Sequence, residues 1–323
     1  MRNLLVIALL LAACDKISSS PPSTSAATGE GTATTPTEAL GAKTNPYIEC
    51  LNTFTRDTFQ GRHSWLDSFG EKGPQPKQAK DTLYGPLALH DPKECADGVA
   101  AAKGKQPAMP ELEAAGAAYV AAIGELQPLT VKLRAYFEQG DYKDDKLALA
   151  IETHPKLLAA WDRFSKANAA LEAQIDKIED KLAADELAEL EKTSGKQLRW
   201  HHKRMLIEAK KLLAYVDEPG KDLAALQAAV TSYDGAANAL LEYAKQHKDE
   251  KPQPTAYWTI ESPVKKLQID AKEMMRRQRD HKPYSSGEKM TIEANNAESV
   301  EGHPARVIAA YNSLIDTSNR MRW

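Results

Sequence analysis

The chain has 323 residues with 42 basic and 45 acidic side chains, a formal net charge of −3, and only 7% aromatic residues. That near balance of charge excludes a strongly basic nucleic-acid binder, so no nucleic-acid partner is expected. Abundant alanine and charged residues beside few aromatics favour helices over sheet.

The N-terminus supplies an address. Arg2 precedes an apolar run from Leu4 to Leu11, and the run ends in Leu11-Ala12-Ala13-Cys14. This arrangement resembles the bacterial lipoprotein signal, in which small residues admit a peptidase and the cysteine thiol takes diacylglycerol. The run is far shorter than the roughly 20 residues a membrane-spanning helix needs, which argues against a transmembrane anchor. Residues 1–13 therefore read as a signal peptide, with Cys14 as the lipidated first residue of the mature chain. Several acyl chains at about 0.8 kcal/mol per buried methylene would hold it at the membrane lastingly. Asp15 resembles the signal that retains lipoproteins in the inner membrane, so a periplasm-facing inner-membrane location is expected, with the outer membrane as the alternative. Residues 14–44 follow as a flexible, disordered linker rich in Ser, Thr and Pro, with no apolar periodicity to offset chain entropy.

The folded region is expected over residues 45–323, as one domain or two. Tyr47, Cys50, Phe54 and Thr58 recur at three- and four-residue steps and predict a first helix ending near Phe69-Gly70. Gly73 to Asp91, with three prolines, reads as irregular, and a short helix surrounds Cys95. With Cys14 lipidated, Cys50 and Cys95 remain in an oxidising compartment, and they suggest one structural disulfide; the rival is two separate buried thiols.

Longer helices follow with a period nearer 3.5 than 3.6. The first runs from Leu112 to Tyr136, with a kink expected at Pro128, and the second passes through Leu157, Trp161, Phe164, Asn168, Leu171, Ile175, Ile178 and Leu182. After Ser194-Gly195 come Leu198, His202, Met205, Ala209, Leu212 and Val216, then Leu223 to Ala244. Helices over Val264–Arg279 and Pro304–Met321 complete the series, the last burying Ile308, Tyr311, Leu314, Ile315 and Met321. Weak strand patterns occur only at Tyr257–Ile260 and Met290–Ile292. The expected fold is all-α, an elongated antiparallel helical bundle with coiled-coil-like packing.

Local clusters have plain explanations beside sharper ones. Adjacent His201 and His202 point about 100° apart on a helix and do not chelate one ion by themselves. His247 and Glu250 have an i, i+3 spacing used in carboxylate-bridged metal sites, but the second copy such sites need is missing. The basic run Lys265, Lys266, Lys272, Arg276, Arg277 and Arg279 fits either a polyanion or lipid surface or an ordinary solvated helix face. Asp141, Asp144 and Asp145 lack calcium-loop spacing and suggest helix capping. No catalytic, phosphate-binding or dinucleotide motif occurs. No catalytic residue, metal ligand or cofactor is assigned. Asn168 and His202, polar at seam positions, are expected to fix helix register.

The stretches Asn45-Pro46-Tyr47-Ile48-Glu49-Cys50-Leu51-Asn52, Tyr136 through Tyr142-Lys143-Asp144-Asp145, His154-Pro155-Lys156-Leu157, and Glu301-Gly302-His303-Pro304 with Tyr311-Asn312-Ser313-Leu314-Ile315 resemble the YiiG-like lipoproteins, a bacterial family of unknown function. The resemblance implies an α-helical, envelope-facing lipoprotein and supplies no catalytic residues. The expected role is a non-catalytic helical adaptor, anchored in lipid through Cys14 and contacting an envelope protein or polyanion. The alternatives are a periplasmic receptor for a small molecule or metal and an envelope enzyme.

Overall fold

A computed structural model describes residues 36–216, 219–249 and 259–321. The signal segment, Cys14, Asp15, the linker up to residue 35, Tyr257, Trp258 and Glu250 lie outside the described residues. Among those described there are nine α-helices and no strand, so the chain is all-α. They form two compact units that divide at Glu179–Asp180.

The first unit contains α1 (Pro36–Phe69), α2 (Lys93–Lys103), α3 (Pro110–Gln139) and the N-terminal part of α4 (Ala148–Ser194). Helix α1 starts at Pro36, not at Asn45, which corrects the expected linker boundary. The obstacle in the sequence is Pro46, which lacks the N–H that would bond the Ala42 carbonyl. Here that carbonyl accepts a hydrogen bond from Lys105 Nζ at 3.3 Å, and the helix continues. Lys43 is wholly buried and answers in the other direction. Its ammonium donates to the carbonyls of Ala102, Lys103 and Lys105 at 3.1 Å each and pairs with Glu113. Carbonyls at and just beyond the end of α2 thus receive a cation from α1, the Ala102 carbonyl in addition to its backbone bond from the Lys105 N–H.

Apolar side chains at the expected seam positions fill the core of this unit, among them Tyr47, Leu51, Phe54, Tyr119, Leu126, Leu133, Leu157, Trp161, Phe164 and Leu171. Phe164 meets Tyr119 with ring centroids 5.3 Å apart and Phe59 edge-on at 5.7 Å. A buried polar layer crosses the core. The Thr55 hydroxyl donates to Asn168 Oδ1 at 2.7 Å and lies 3.2 Å from the Tyr119 hydroxyl, so Asn168 ties α4 to α1 as its seam position implies. Helix α3 passes through Pro128 unbroken. On α4, the buried stripe ends at Ile175; Ile178 and Leu182 are only half-buried.

The segment between α1 and α2 is irregular apart from a 3-10 turn over Pro76–Lys80, as its prolines imply. It is nonetheless tied down. Tyr142 accepts from the Leu83 N–H and donates to the Asp81 carbonyl, and Thr130 accepts from the Leu89 N–H. Gly73 has φ +78°, and a Cβ there would come within 2.6 Å of the His154 ring.

The second unit packs α5 (Leu198–Leu213), α6 (Leu223–Gln246), α7 (Glu261–Arg279) and α9 (Pro304–Asn319) around one core that includes Met205, Leu212, Val230, Tyr233, Leu240, Leu267, Met274, Val307 and Leu314. Ile308 is half-buried instead of buried, and Val307 takes its place. Helix α8 (Ser286–Glu293) was not expected. It has no apolar stripe and no buried residue, and it covers Met290–Ile292, which read as a weak strand. Its start is fixed by a capping box, Ser285 accepting from the Glu288 N–H and Glu288 accepting from the Ser285 N–H.

Two predictions follow from these buried polar groups. Replacing Lys43 by Met keeps the length but removes the charge, taking its ammonium from Glu113 and from the carbonyls of Ala102, Lys103 and Lys105. Urea denaturation should show a loss of about 3 kcal/mol, against under about 1 kcal/mol for Lys105→Ala. A loss below 1 kcal/mol for Lys43→Met would show that the cap contributes little. His202 is buried, and burial, with Lys203 second, lowers its pKa to about 4 from 6.5. The unfolded chain therefore takes up the proton first. Its contribution to stability is complete above pH 6.5 and falls by about 3 kcal/mol as pH drops to 4. Denaturation across that range should lose this slope in His202→Gln, and an unchanged slope would assign it to other groups.

Candidate functional site

A groove of about 540 Å³ opens beside the Cys50–Cys95 disulfide, which joins α1 to α2 with Cα atoms 5.2 Å apart. The expected pairing of the two cysteines is present. Pro46 on α1 and Gly98 on α2 line the groove as half-buried residues, with Cys50, Phe54 and Cys95 buried behind them. A Cβ on Gly98 would lie 3.4 Å from Pro46, so the two helices are already close there. The rim is charged, with Glu49 from α1, Asp91 from the preceding loop and Glu94 from α2, joined by His90 and Lys93.

Each cysteine follows a glutamate, so bridging Cys50 to Cys95 brings Glu49 and Glu94 to the same rim. Among the described residues neither carboxylate makes a close ion pair, although the Lys93 charge acts on Glu94. Asp91 accepts a hydrogen bond from the Lys93 N–H at 2.9 Å, close to the positive end of α2. The Lys93 ammonium is engaged by Asp97, whose hydrogen bond and charge raise the lysine pKa. The rim thus carries three acids, two of which, Asp91 and Glu94, also feel the Lys93 charge. Sequence reading missed it because the three acids come from separate segments. The signal available was the repeated Glu-Cys dipeptide, which becomes informative only once the cysteines are paired.

The other candidate residues are placed in structural roles. His202 donates from Nε2 to Ser318 Oγ at 3.2 Å, because the Ser318 hydroxyl proton is given to the Leu314 carbonyl at 2.8 Å. His201 instead packs on Tyr243, with ring centroids 4.6 Å apart. His247 donates from Nδ1 to the Tyr243 carbonyl and stacks on that ring. Asp145 caps α4, accepting from the Ala148 and Leu149 N–H groups at 3.2 Å each, and it also receives the Tyr136 hydroxyl. His154, which had no role assigned, accepts at Nδ1 from the Trp65 indole N–H at 3.0 Å and donates from Nε2 to the Glu71 carbonyl at 3.1 Å, which requires the neutral Nε2–H tautomer. Among the described residues no group of three or more His, Cys, Asp or Glu side chains is arranged to hold a metal ion.

The basic run on α7 is paired throughout. Lys265 meets Glu261, Lys266 meets Asp270, Lys272 meets Asp234, Arg276 meets Glu273, Arg277 meets Glu288 and Arg279 meets Asp280. Asp270 is almost wholly buried and receives Arg306 as well at 2.7 Å, beside a wide depression of about 610 Å³ at the start of α7. Arg277, also buried, lies over the Tyr284 ring at 4.5 Å and donates to the Pro283 carbonyl at 3.3 Å. The capping-box bond from Ser285, with Arg277 second, holds the Glu288 pKa at about 2. Gly302 closes this cluster. Its φ is +70°, and a Cβ would lie 2.9 Å from Arg277 Nε. His303 then caps α9, accepting from the Ala305 N–H, with Pro304 as the first helical residue, so Gly302-His303-Pro304 is a helix-start device.

The model of a family described as proteins of unknown function (DUF3829) matches residues 38–320, spanning both units. The chain is 26% identical over 286 residues to an uncharacterized protein, YiiG, of Escherichia coli (strain K12), covering 87% of this chain and 78% of that protein. No solved structure matches. The match begins inside α1, in agreement with the helical start at Pro36. The chain therefore belongs to DUF3829, the YiiG-like family of proteins of unknown function.

Proposed function

We propose that the protein is a lipid-anchored component of the bacterial cell envelope, held through Cys14, whose helical region faces the periplasm and acts as a non-catalytic interaction module. The address rests on the sequence from Arg2 to Cys14, and Asp15 favours the inner membrane. Residues 15–35 provide reach between anchor and fold. No helix among the described residues is long and apolar enough to cross a membrane.

One observation carries the interaction reading. The interior histidines, the buried Asp270 and Arg277, and the Thr55–Tyr119–Asn168 layer are each bonded to groups that fix helix position, whereas the groove at the disulfide exposes Glu49, Asp91, Lys93 and Glu94 at its rim. Recognition of a partner uses such a surface directly. The groove volume is also within the range of small-ligand sites, which favours a small-molecule receptor as the second reading.

Fractionation tests the address. The native chain should sediment with membranes and carry acyl mass on Cys14, and Cys14→Ser should leave the membrane fraction or accumulate with its signal uncleaved. If Cys14→Ser behaves like the native chain, the anchor claim fails. In-cell crosslinking in separated inner and outer membranes tests the role: a reproducible macromolecular partner supports the module, and a chain recovered only as monomer sends the reading to the receptor.

A further inference from the structure

We infer that the two units are tandem copies of one four-helix unit. This goes beyond the interaction-module reading and does not rest on it. The first support is helix order and direction. In the first unit α2 runs against α1, as Cys50–Cys95 and Lys43–Ala102 require, and α3 runs with α1, Tyr47 packing on Gly116 and Trp65 on Phe137. The start of α4 runs against α1, with Thr55 bonded to Asn168 and Trp65 to His154. The second unit repeats these directions through α5, α6, α7 and α9. His201 at the start of α5 meets Tyr243 at the end of α6, and Asp234 and Asn238 of α6 meet Lys272 and Gln268 of α7. Asp270 and Arg277 of α7 then meet Arg306 and Gly302, at the start of α9 and just before it.

Each helix also maps onto its counterpart at one fixed displacement. Leu51, Thr55, Thr58, Trp65 and Phe69 of α1 fall on Leu198, His202, Met205, Leu212 and Val216 of α5 and the turn after it, and Cys95, Val99 and Ala102 of α2 fall on Tyr233, Ala237 and Leu240 of α6. Gly116, Tyr119, Ile123 and Leu126 of α3 fall on Val264, Leu267, Ala271 and Met274 of α7. Leu157, Ala160, Trp161, Phe164, Asn168 and Leu171 of α4 fall on Val307, Ala310, Tyr311, Leu314, Ser318 and Met321 at α9. Every one of these residues is buried. A three-four rhythm alone would align such helices in more than one register. The polar residues select this one. Thr55 falls on His202 and Asn168 on Ser318, and in each unit those two are hydrogen-bonded to each other across the core, at 2.7 Å and 3.2 Å. The tetrapeptides Glu152-Thr153-His154-Pro155 and Glu301-Gly302-His303-Pro304 lie within one residue of the same register. The copies differ in their connections. Residues 70–92 join the first two helices of one copy and 214–222 those of the other; residues 140–147 precede the last helix of one and 280–303, with α8, that of the other. Helix α8 is thus an insertion outside the shared core, which is why it buries nothing. The disulfide belongs to the first copy alone, where the second helix has 11 residues instead of 24; Gln197 and Tyr233 stand in the corresponding places.

The test exchanges the polar layer between the copies in the full-length chain. Because Leu267 is the counterpart of Tyr119, Thr55→His/Tyr119→Leu/Asn168→Ser installs the second copy's layer in the first, and His202→Thr/Leu267→Tyr/Ser318→Asn does the reverse. Each exchange nearly conserves the summed side-chain volume, the condition under which cores tolerate several changes at once. Hydrogen exchange of peptides from the altered unit should stay within about threefold of the native rate in at least one of the two chains. In that chain, alanine placed at 168 or 318 instead of the exchanged residue removes the new hydrogen-bond partner across the layer and should speed exchange by about tenfold. Loss of protection in both exchanged chains overturns the inference. So does an alanine version as well protected as the exchanged one, since the installed pair would then not meet as its counterpart does.

Discussion

A helix of eleven residues that buries only Cys95, Val99 and Ala102 is not held in place by packing alone. Helix α2 keeps its position because α1 holds it at both ends. Near its start is the Cys50–Cys95 bridge, which closes a loop of 45 residues and on the chain-entropy model contributes about 4 kcal/mol. At its finish is a reciprocal lysine clasp, Lys43 reaching the carbonyls after α2 and Lys105 reaching the Ala42 carbonyl that Pro46 leaves open. The clasp explains how a proline is tolerated inside α1 and why a lysine is wholly buried in this unit. The groove exists only because both attachments keep α2 beside Pro46 and Phe54.

The second unit solves the same problem of positioning with less covalent means. Its core is continuous across α5, α6, α7 and α9, so the long helices need no staple. What needs fixing is the connection from α7 to α9, which contributes little apolar surface. Arg277 organises it from within, gathering Pro283, Tyr284 and Glu288 while Gly302 makes room for its side chain. Helix α8 depends on this arrangement, since it buries nothing of its own and leaves Met290 exposed. Replacing Gly302 with any larger residue would therefore strain the turn, whose φ is +70°, and crowd the arginine as well.

Periodicity made the long helices legible. The seams from Leu112 to Tyr136, Leu157 to Ile175 and Leu198 to Val216 are buried as their spacing implies, because a three-four rhythm places a continuous stripe on one face. It overreached at Ile178 and Leu182, where the apolar stripe outlasts the fully buried core. It failed at α8, whose only sequence signal is the Ser285-x-x-Glu288 box, and at the first turns of α1, where Pro46 looked like a boundary and the clasp that neutralises it comes from a residue far along the chain. The polar seam residues were readable for the same reason as the apolar ones: Asn168 and His202 occupy stripe positions, so their partners had to lie on another helix. The groove was not readable, since no periodicity links Glu49, Asp91 and Glu94.

Counting charges along a chain describes a surface poorly, and the two charged regions of this protein show why. The α7 run is the more conspicuous in sequence, with six basic residues within fifteen positions, yet every one of them meets a carboxylate and the face as built has little field to offer a polyanion. The rim of the groove has three acids scattered over three segments and no conspicuous motif, yet all three line one concave surface, with Lys93 among them. An exposed ion pair contributes little to stability, but it does cancel charge locally, and cancellation is what decides whether a surface attracts.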